Sequence, residues 1–309
     1  MTTEPTGNKK LIYWLRLGRF FIMALTVALV GMPTLLGFLS TLGMLYVPCV
    51  GGSATPADYG YEWEDVKIPA RAGGKFRGFF IPGRNGATII MPPSLSHGRA
   101  GRLRDAAMLA QHGYAIFTFE SRRCAGMGPL SLGYWEVDEV ADSLDYLLSR
   151  PDVDPERIGI YGFSSGGATS IMATARLPGL GAVVAEGGYG DFIENALGRN
   201  HHRGFVGYFL SVYRWSTRLT YRLVTGFDMS RLSPVSVIDQ IAPRPILLIY
   251  GTGEASLAGG RQQKAAAGDN AELWIVEGAG HGQYRYIAPQ EYERRIVTFF
   301  DEAFSLEQN

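Results

Sequence analysis

Three residue types that together can cleave an acyl bond occur in a suggestive order in this 309-residue sequence. Ser164 lies in Gly162-Phe163-Ser164-Ser165-Gly166, which fits the G-x-S-x-G pattern of a nucleophile turn. Glu254 and His281 follow it along the chain. A serine hydroxyl needs a histidine to take its proton and a carboxylate to orient that histidine. The chemistry to test is therefore nucleophilic catalysis by Ser164.

The neighbours of Ser164 strengthen a pattern that is weak by itself, because glycine is common here, at 40 positions. The apolar run 158–161 predicts a strand directly before the pattern, and SGGATSIMATARL predicts a helix directly after it. Ser164 would then project from a sharp turn. The backbone N–H of Ser165, at the start of that helix, is expected to stabilise a developing oxyanion.

The candidate carboxylate and imidazole follow two further predicted strands. Glu254 comes just after the apolar run 246–250, and His281 comes in a glycine-rich loop after the run 273–276. The carboxyl ends of parallel strands lie at one edge of a sheet, so both side chains are expected there with Ser164. Three other carboxylates are weaker alternatives to Glu254 because of their positions relative to the sixth and seventh strands: Asp191, Asp228 and Asp239.

Strand-like runs alternate with segments of helical period beyond residue 57, which predicts an α/β domain with a largely parallel sheet. The eight predicted strands are 61–69, 76–81, 87–91, 115–119, 158–161, 182–186, 245–250 and 271–276. The predicted helices are 102–112, 136–149, 165–176, 257–267 and 288–305. The first two strands are expected to form a hairpin through the turn residues 72–74.

Between about residues 60 and 305 the sequence resembles the α/β-hydrolase family, and within it the group related to dienelactone hydrolases and the catalytic domain of prolyl oligopeptidase-like enzymes. The segments that carry the resemblance are AAMLAQHGYAIFTFESRRCAGMG, LGYWEVDEVADSLDYLLSRPDVDPERIGIYGFSSGGA, PRPILLIYGTGE and LWIVEGAGHGQY. The resemblance implies an eight-stranded sheet with helices on both faces and a Ser164, Glu254, His281 triad. It also implies a serine hydrolase that cleaves an ester, thioester or amide through an acyl-enzyme, with a carboxylesterase favoured over a thioesterase or peptidase.

Two features depart from the family pattern. Most relatives carry aspartate where Glu254 stands. Relatives also place His-Gly after the third strand to supply a second oxyanion N–H, whereas this chain has Pro92-Pro93, and proline has no N–H. The second donor is then expected to be Ser94 or Leu95. The alternative hypothesis is a catalytically impaired protein of the same fold that binds a lipid or protein partner.

The amino-terminal segment predicts a membrane anchor. The stretch 20–47 is uncharged, and as a helix it would be about 40 Å long, more than the roughly 30 Å hydrocarbon core. A cleaved signal peptide, whose apolar region is shorter, and a buried core helix are the alternatives. Basic residues before the span and acids after it predict a cytoplasmic tail at 1–19, a single pass through the plasma membrane and an extracytoplasmic domain at 58–309.

A long insertion, at about 189–240, precedes the seventh strand and predicts a helical cap. Its segment GFVGYFLSVYRWSTRLTYRLVTGF has Arg214, Arg218 and Arg222 at every fourth position, so they share one helical face. Three interpretations stay open and are compatible with one another: an amphipathic helix that covers the sheet, a lid over the site, and a contact with the membrane surface.

Composition excludes other classes of function. Lysine plus arginine equals aspartate plus glutamate, 29 each, so no overall positive charge favours nucleic acid. The two cysteines are too few for a disulfide scaffold and lack zinc-site spacing. No dinucleotide or Walker pattern is present, so we expect no cofactor and no metal, and a small acyl compound as substrate. The histidines outside the candidate triad lack metal-ligand spacing: His97, His112, His201 and His202.

Overall fold

The computed structural model describes residues 6–198 and 203–306, and His201 and His202 lie outside them. The chain divides into two compact units. The helical unit comprises the chain up to Gly43 together with a segment that ends at Gly226. The α/β unit comprises Met44–Gly198 and the chain from Phe227 onwards.

The sheet of the α/β unit has eight strands, as the alternation of strand-like and helical segments predicts. They are β1 (Glu64–Pro69), β2 (Lys75–Ile81), β3 (Thr88–Met91), β4 (Ala115–Phe119), β5 (Ile158–Phe163), β6 (Ala182–Glu186), β7 (Ile246–Gly251) and β8 (Ala271–Val276). Their order is β1-β2-β4-β3-β5-β6-β7-β8. Pairs β1·β2 and β2·β4 are antiparallel and the remaining pairs are parallel, which confirms the predicted mostly parallel α/β sheet.

Helices of the α/β unit lie on both faces of this sheet. The α-helices of the described residues are α1 (Thr6–Thr26), α2 (Met32–Leu45), α3 (Leu103–Gln111), α4 (Trp135–Leu148), α5 (Ser165–Arg176), α6 (Phe192–Leu197), α7 (Gly204–Thr225), α8 (Leu257–Ala267), α9 (Tyr284–Ile287) and α10 (Pro289–Ala303). Successive strand residues enter two different cores: Ile89 packs in one buried cluster and Ile90 in the other. Because both faces are covered, the central strands are apolar throughout rather than alternating.

The amino-terminal helices form one long helical stretch with a π-helical turn, Val27–Gly31, between α1 and α2. Pro33 has no N–H to donate to the preceding turn, and the N–H of Met32 bonds Val27 O, five residues back. The stretch Lys10–Leu45 is long and apolar enough to cross a membrane, and little of its most apolar window is buried. It contains nearly all of the anchor predicted from sequence.

The predicted cap insertion is helical. Its described residues contain α6, α7 and three short 3-10 helices, Met229–Arg231, Pro234–Ser236 and Ile238–Ile241. Helix α7 belongs to the helical unit, whereas α6 and the 3-10 helices belong to the α/β unit.

The segment that follows α2 is fastened to the α/β unit. Cys49 and Cys124 form a disulfide, a pairing that sequence analysis did not assign. Beside it, Val50 N–H donates to Ser96 O at 2.8 Å, and Gly98 N–H donates to Val50 O at 3.0 Å. These bonds hold the loop after β3, which contains the predicted oxyanion donors. The segment therefore braces the loop that contains the predicted oxyanion donors.

We predict that removing this segment weakens the α/β unit. A chain that starts at Asp58 loses the disulfide and the Val50 bonds, whereas a chain that starts at Met44 keeps both. The shorter chain should be less stable to urea by about 2–4 kcal/mol, the usual contribution of a disulfide that closes a long loop. A Met44 chain with Cys49→Ser and Cys124→Ser should show most of the same loss. Equal unfolding free energies for all three chains would contradict the brace.

Candidate active site

Ser164 stands on a strained turn between β5 and α5. Its backbone has φ 56° and ψ −124°, a conformation that costs a non-glycine residue about 1–3 kcal/mol. The turn is held because the Ser164 N–H donates to Glu186 O, at the end of β6, at 2.7 Å. A Cβ added at Gly162 would lie 2.2 Å from Gly166 O, so only glycine allows the helix to start this close to the strand. This is the turn that the G-x-S-x-G pattern predicts.

The structure brings the three predicted side chains together. His281 Nε2 lies 3.1 Å from Ser164 Oγ, and His281 Nδ1 lies 2.8 Å from Glu254 Oε2. Glu254 follows β7 and His281 follows β8, so the carboxyl ends of three parallel strands supply the set. The glutamate side chain thus reaches the imidazole although it is longer than the aspartate that the family pattern predicts at this position. A hydroxyl, an imidazole and a carboxylate in this sequence of contacts can pass a proton away from the hydroxyl.

Glu254 is almost fully buried and is kept ionised by its neighbours. Burial raises the pKa of its carboxyl, but hydrogen bonds with His281, the Gly251 N–H, Ser256 and Tyr284 outweigh burial and lower the pKa below its ordinary value of 4.5. Ser256 Oγ donates to Oε2 at 2.8 Å, and Tyr284 Oη lies 2.8 and 3.0 Å from the two carboxylate oxygens. The carboxylate is thus fixed facing His281.

Two further residues belong to the site and were not predicted from the sequence: Tyr284 and Gly187. Burial and the Glu254 charge raise the pKa of the Tyr284 hydroxyl, which therefore stays a proton donor to that carboxylate. Gly187 has φ 57°, and a Cβ there would lie 2.8 Å from His281 Nδ1 and 2.5 Å from Tyr284 Oη. Tyr284 comes three residues after His281, and Gly187 directly follows the sixth predicted strand, but neither position by itself indicates a role.

The three predicted oxyanion donors, Ser165, Leu95 and Ser94, differ in position and in hydrogen bonding. Ser165 begins α5, so its N–H is at a helix amino terminus. The Leu95 N–H donates to Ser165 Oγ at 2.6 Å, which places the Leu95 backbone at the turn. Leu95 has φ 40°. Ser94 is buried, and its carbonyl accepts from the His97 N–H.

A cleft of about 530 Å³ opens at Ser164 and His281. This volume is in the range of small-molecule sites. Apart from the triad its walls are chiefly apolar and aromatic, from Met44, Leu95, Leu132, Tyr189 and Phe192. The cleft can receive an apolar group attached to a carbonyl at Ser164.

The other candidate residues have different surroundings. Asp191 and Asp228 accept from backbone N–H groups at helix starts, and Asp239 is exposed in a 3-10 helix, whereas His281 Nδ1 bonds Glu254. His97 Nδ1 bonds Ser94 O, and His112 Nε2 bonds Glu293. Within residues 6–198 and 203–306, no group of three His, Cys, Asp or Glu side chains is placed to hold a metal ion.

Comparison with known proteins assigns the family. The family model described as the prolyl oligopeptidase family matches residues 105–307, more than half of the chain. The chain belongs to the prolyl oligopeptidase family. This match includes all three triad candidates, and it places the protein among the α/β-hydrolases, as the sequence resemblance implies.

Individual relatives are distant. The uncharacterized protein YfhR of Escherichia coli (strain K12) is 26% identical over 208 residues, which span 62% of this chain and 63% of YfhR, less than two thirds of its length. Among solved structures, the Pyrococcus furiosus esterase Pf2001 is 21% identical with a TM-score of 0.65, and the match covers 83% of this chain and 98% of the esterase. The 2,6-dihydroxy-pseudo-oxynicotine hydrolase is 16% identical with a TM-score of 0.61, covering 78% of this chain and 68% of the hydrolase. At these identities the solved structures show the α/β-hydrolase fold alone.

We predict that Glu254→Gln lowers kcat for hydrolysis by about 10²–10⁴-fold, because a neutral amide neither stabilises an imidazolium nor selects its tautomer. The folded-state pKa of Glu254 is lowered, so its ionisation stabilises the fold above the ordinary pKa, and this stabilisation disappears as pH falls through the lowered value. Thermal melts from pH 3 to 7 should therefore show a weaker acid-side slope in Glu254→Gln. Asp191→Asn is the matched control, and a larger loss of kcat in that folded variant would contradict the assignment.

Proposed function

We propose that this protein is a membrane-anchored serine hydrolase that cleaves carboxylic esters through an acyl-enzyme. The observation that carries the proposal is the chain of contacts from Ser164 Oγ through His281 to the buried Glu254 carboxylate. Membership of the prolyl oligopeptidase family supports hydrolysis of ester or peptide type.

In the proposed reaction, Ser164 Oγ attacks the ester carbonyl while His281 Nε2 accepts the hydroxyl proton. Glu254 keeps the other imidazole proton on Nδ1 and stabilises the imidazolium. The tetrahedral oxyanion accepts from the Ser165 N–H and from the N–H of Leu95 or Ser94. His281 then gives its proton to the leaving alkoxide, and water attacks the acyl-enzyme by the same route in reverse order.

The cleft supports esters with an apolar acyl group as substrates. The apolar and aromatic side chains beside Ser164 offer burial to hydrocarbon. Peptidase activity is less well supported, because the described part of the cleft lining has no Asp, Glu, His, Lys or Arg side chain outside the triad to bind a peptide terminus. A thioester would also react by the steps above.

The disulfide supports an extracytoplasmic position for the α/β unit. Structural disulfides form and persist in oxidising compartments and are rare in the cytosol. The Cys49–Cys124 bond lies in the α/β unit just after the candidate span. It agrees with the orientation predicted from basic residues before the span and acidic residues after it.

We predict that Ser164→Ala abolishes labelling by a fluorophosphonate probe and lowers hydrolysis of short p-nitrophenyl esters by at least about 10³-fold. Ser165→Ala should keep its labelling, because the Ser165 hydroxyl is not the nucleophile and the backbone N–H of residue 165 is retained. The two serines are adjacent, so Ser165→Ala is a matched control for damage to the turn. Equal labelling of Ser164→Ala and wild type would contradict the nucleophile. Unlabelled wild type without esterase activity would favour the impaired binding protein.

We predict the topology from the same proposal. In a bacterial host that makes the full chain, protease added to intact spheroplasts should digest the α/β unit, and a cytoplasmic marker should stay protected. Without reductant, Cys49 and Cys124 should resist alkylation in whole cells. Protection of the α/β unit until lysis would show that the orientation is wrong.

A further inference from the structure

Helix α7 buries small and hydroxyl-bearing side chains and exposes large apolar ones, whereas a helix that faces water buries its large apolar side chains. Its buried residues are small or carry a hydroxyl group: Gly207, Ser216, Thr217, Thr220, Tyr221 and Thr225. Its exposed residues include large apolar ones: Phe205, Val206, Tyr208, Trp215, Leu219 and Leu223. Leu223 is 77% exposed and Trp215 is 59% exposed. Helices in membranes bury small residues at their contacts and expose large apolar ones to lipid.

The small-residue face of α7 contacts the candidate membrane span within the helical unit. A Cβ added at Gly37 would lie 2.6 Å from Tyr213 O and 2.8 Å from Ser216 Cβ, so the two helices meet backbone to backbone. Ser216 Oγ donates to Thr34 O at 2.7 Å, and the Ser40 and Tyr213 hydroxyls are 3.0 Å apart. The exposed apolar face of α7 is therefore continuous with a helix that is itself apolar and little buried.

The arginines of α7 limit how deep such a helix can lie. Arg218 and Arg222 are exposed, and each is followed by an exposed leucine. At about 100° per residue, the arginine row and the leucine row run side by side along the helix. Charged side chains are costly in the centre of a bilayer, whereas a basic row beside an apolar row suits the boundary between head groups and acyl chains.

We propose that α7 lies in the membrane–water interface beside the anchor, with Trp215, Leu219 and Leu223 in the acyl-chain boundary and Arg218 and Arg222 on anionic phospholipid head groups. The occupant of this face is thus a lipid surface and not a second copy of the chain. The inference goes beyond the esterase proposal and rests on its membrane anchor alone. It develops one of the three interpretations that the sequence left open, the contact with the membrane surface.

The test uses quenching of tryptophan fluorescence by brominated lipid. The full chain is reconstituted into phosphatidylcholine vesicles with 30% phosphatidylglycerol, with and without dibrominated phosphatidylcholine. The difference in fluorescence between wild type and Trp215→Phe gives the contribution of Trp215. Brominated lipid should quench this contribution at least twofold. Trp14→Phe reports in the same way on the start of the candidate span Lys10–Leu45. Trp274→Phe, in β8, reports on the background, which should be unquenched.

Each result has a distinct meaning. If the Trp14 signal is quenched and the Trp215 signal is not, α7 is outside the lipid and the inference fails while the anchor stands. If neither is quenched, the anchor fails and the inference fails with it. If Trp215 is protected from both brominated lipid and aqueous acrylamide, a protein surface covers it, which also overturns the lipid assignment. None of these outcomes depends on esterase activity.

The arginines are tested separately. In wild type, quenching of Trp215 should increase as phosphatidylglycerol rises from 0 to 30%, and 0.5 M NaCl should reverse the increase. Arg218→Gln with Arg222→Gln should remove this dependence. Arg84→Gln with Arg261→Gln changes two exposed arginines of the α/β unit by the same charge and should keep it. The same dependence in both double variants would overturn the head-group contact.

Discussion

The site depends on the strained backbone at Ser164. A serine at φ 56° is stable only if surrounding bonds leave it no alternative, and here its N–H bonds the end of β6 while α5 begins at the next residue. Glu186, which supplies that carbonyl, is itself fixed, because its buried side chain accepts from Tyr161 and pairs with Arg102. The rigidity of the sheet thus fixes where the hydroxyl points. Glu254 and His281 then need only short loops after β7 and β8 to reach it.

Much of this arrangement could be predicted from sequence because it follows from local patterns. All eight strands and the five main helices of the α/β unit lie where apolar runs and helical spacing predict them, because a sheet covered on both faces requires continuous apolar strands. The candidate triad was also predictable, since strand ends place Ser164, Glu254 and His281 at one edge. The G-x-S-x-G pattern lies between a predicted strand and a predicted helix, which is where a nucleophile turn must lie.

What could not be predicted are contacts between residues far apart in sequence. Cys49 and Cys124 are separated by 75 positions, and nothing local to either indicates the other. Gly187 matters because of where His281 lies, and Tyr284 because of where Glu254 lies. The burial of Ser216 likewise follows from its contact with Thr34. Such contacts can be identified only when the three-dimensional structure is known.

The hydrogen bond from the Leu95 N–H to Ser165 Oγ affects how tightly the site binds the neutral ester relative to the charged tetrahedral intermediate. Under the proposed mechanism, this donor is already occupied in the resting protein. A neutral ester carbonyl is a weaker acceptor than an oxyanion and competes poorly with the serine oxygen, whereas the charged intermediate competes well. The donor would then bind the intermediate more tightly than the ester. Such differential binding lowers the barrier to reaction without holding the substrate in its ground state.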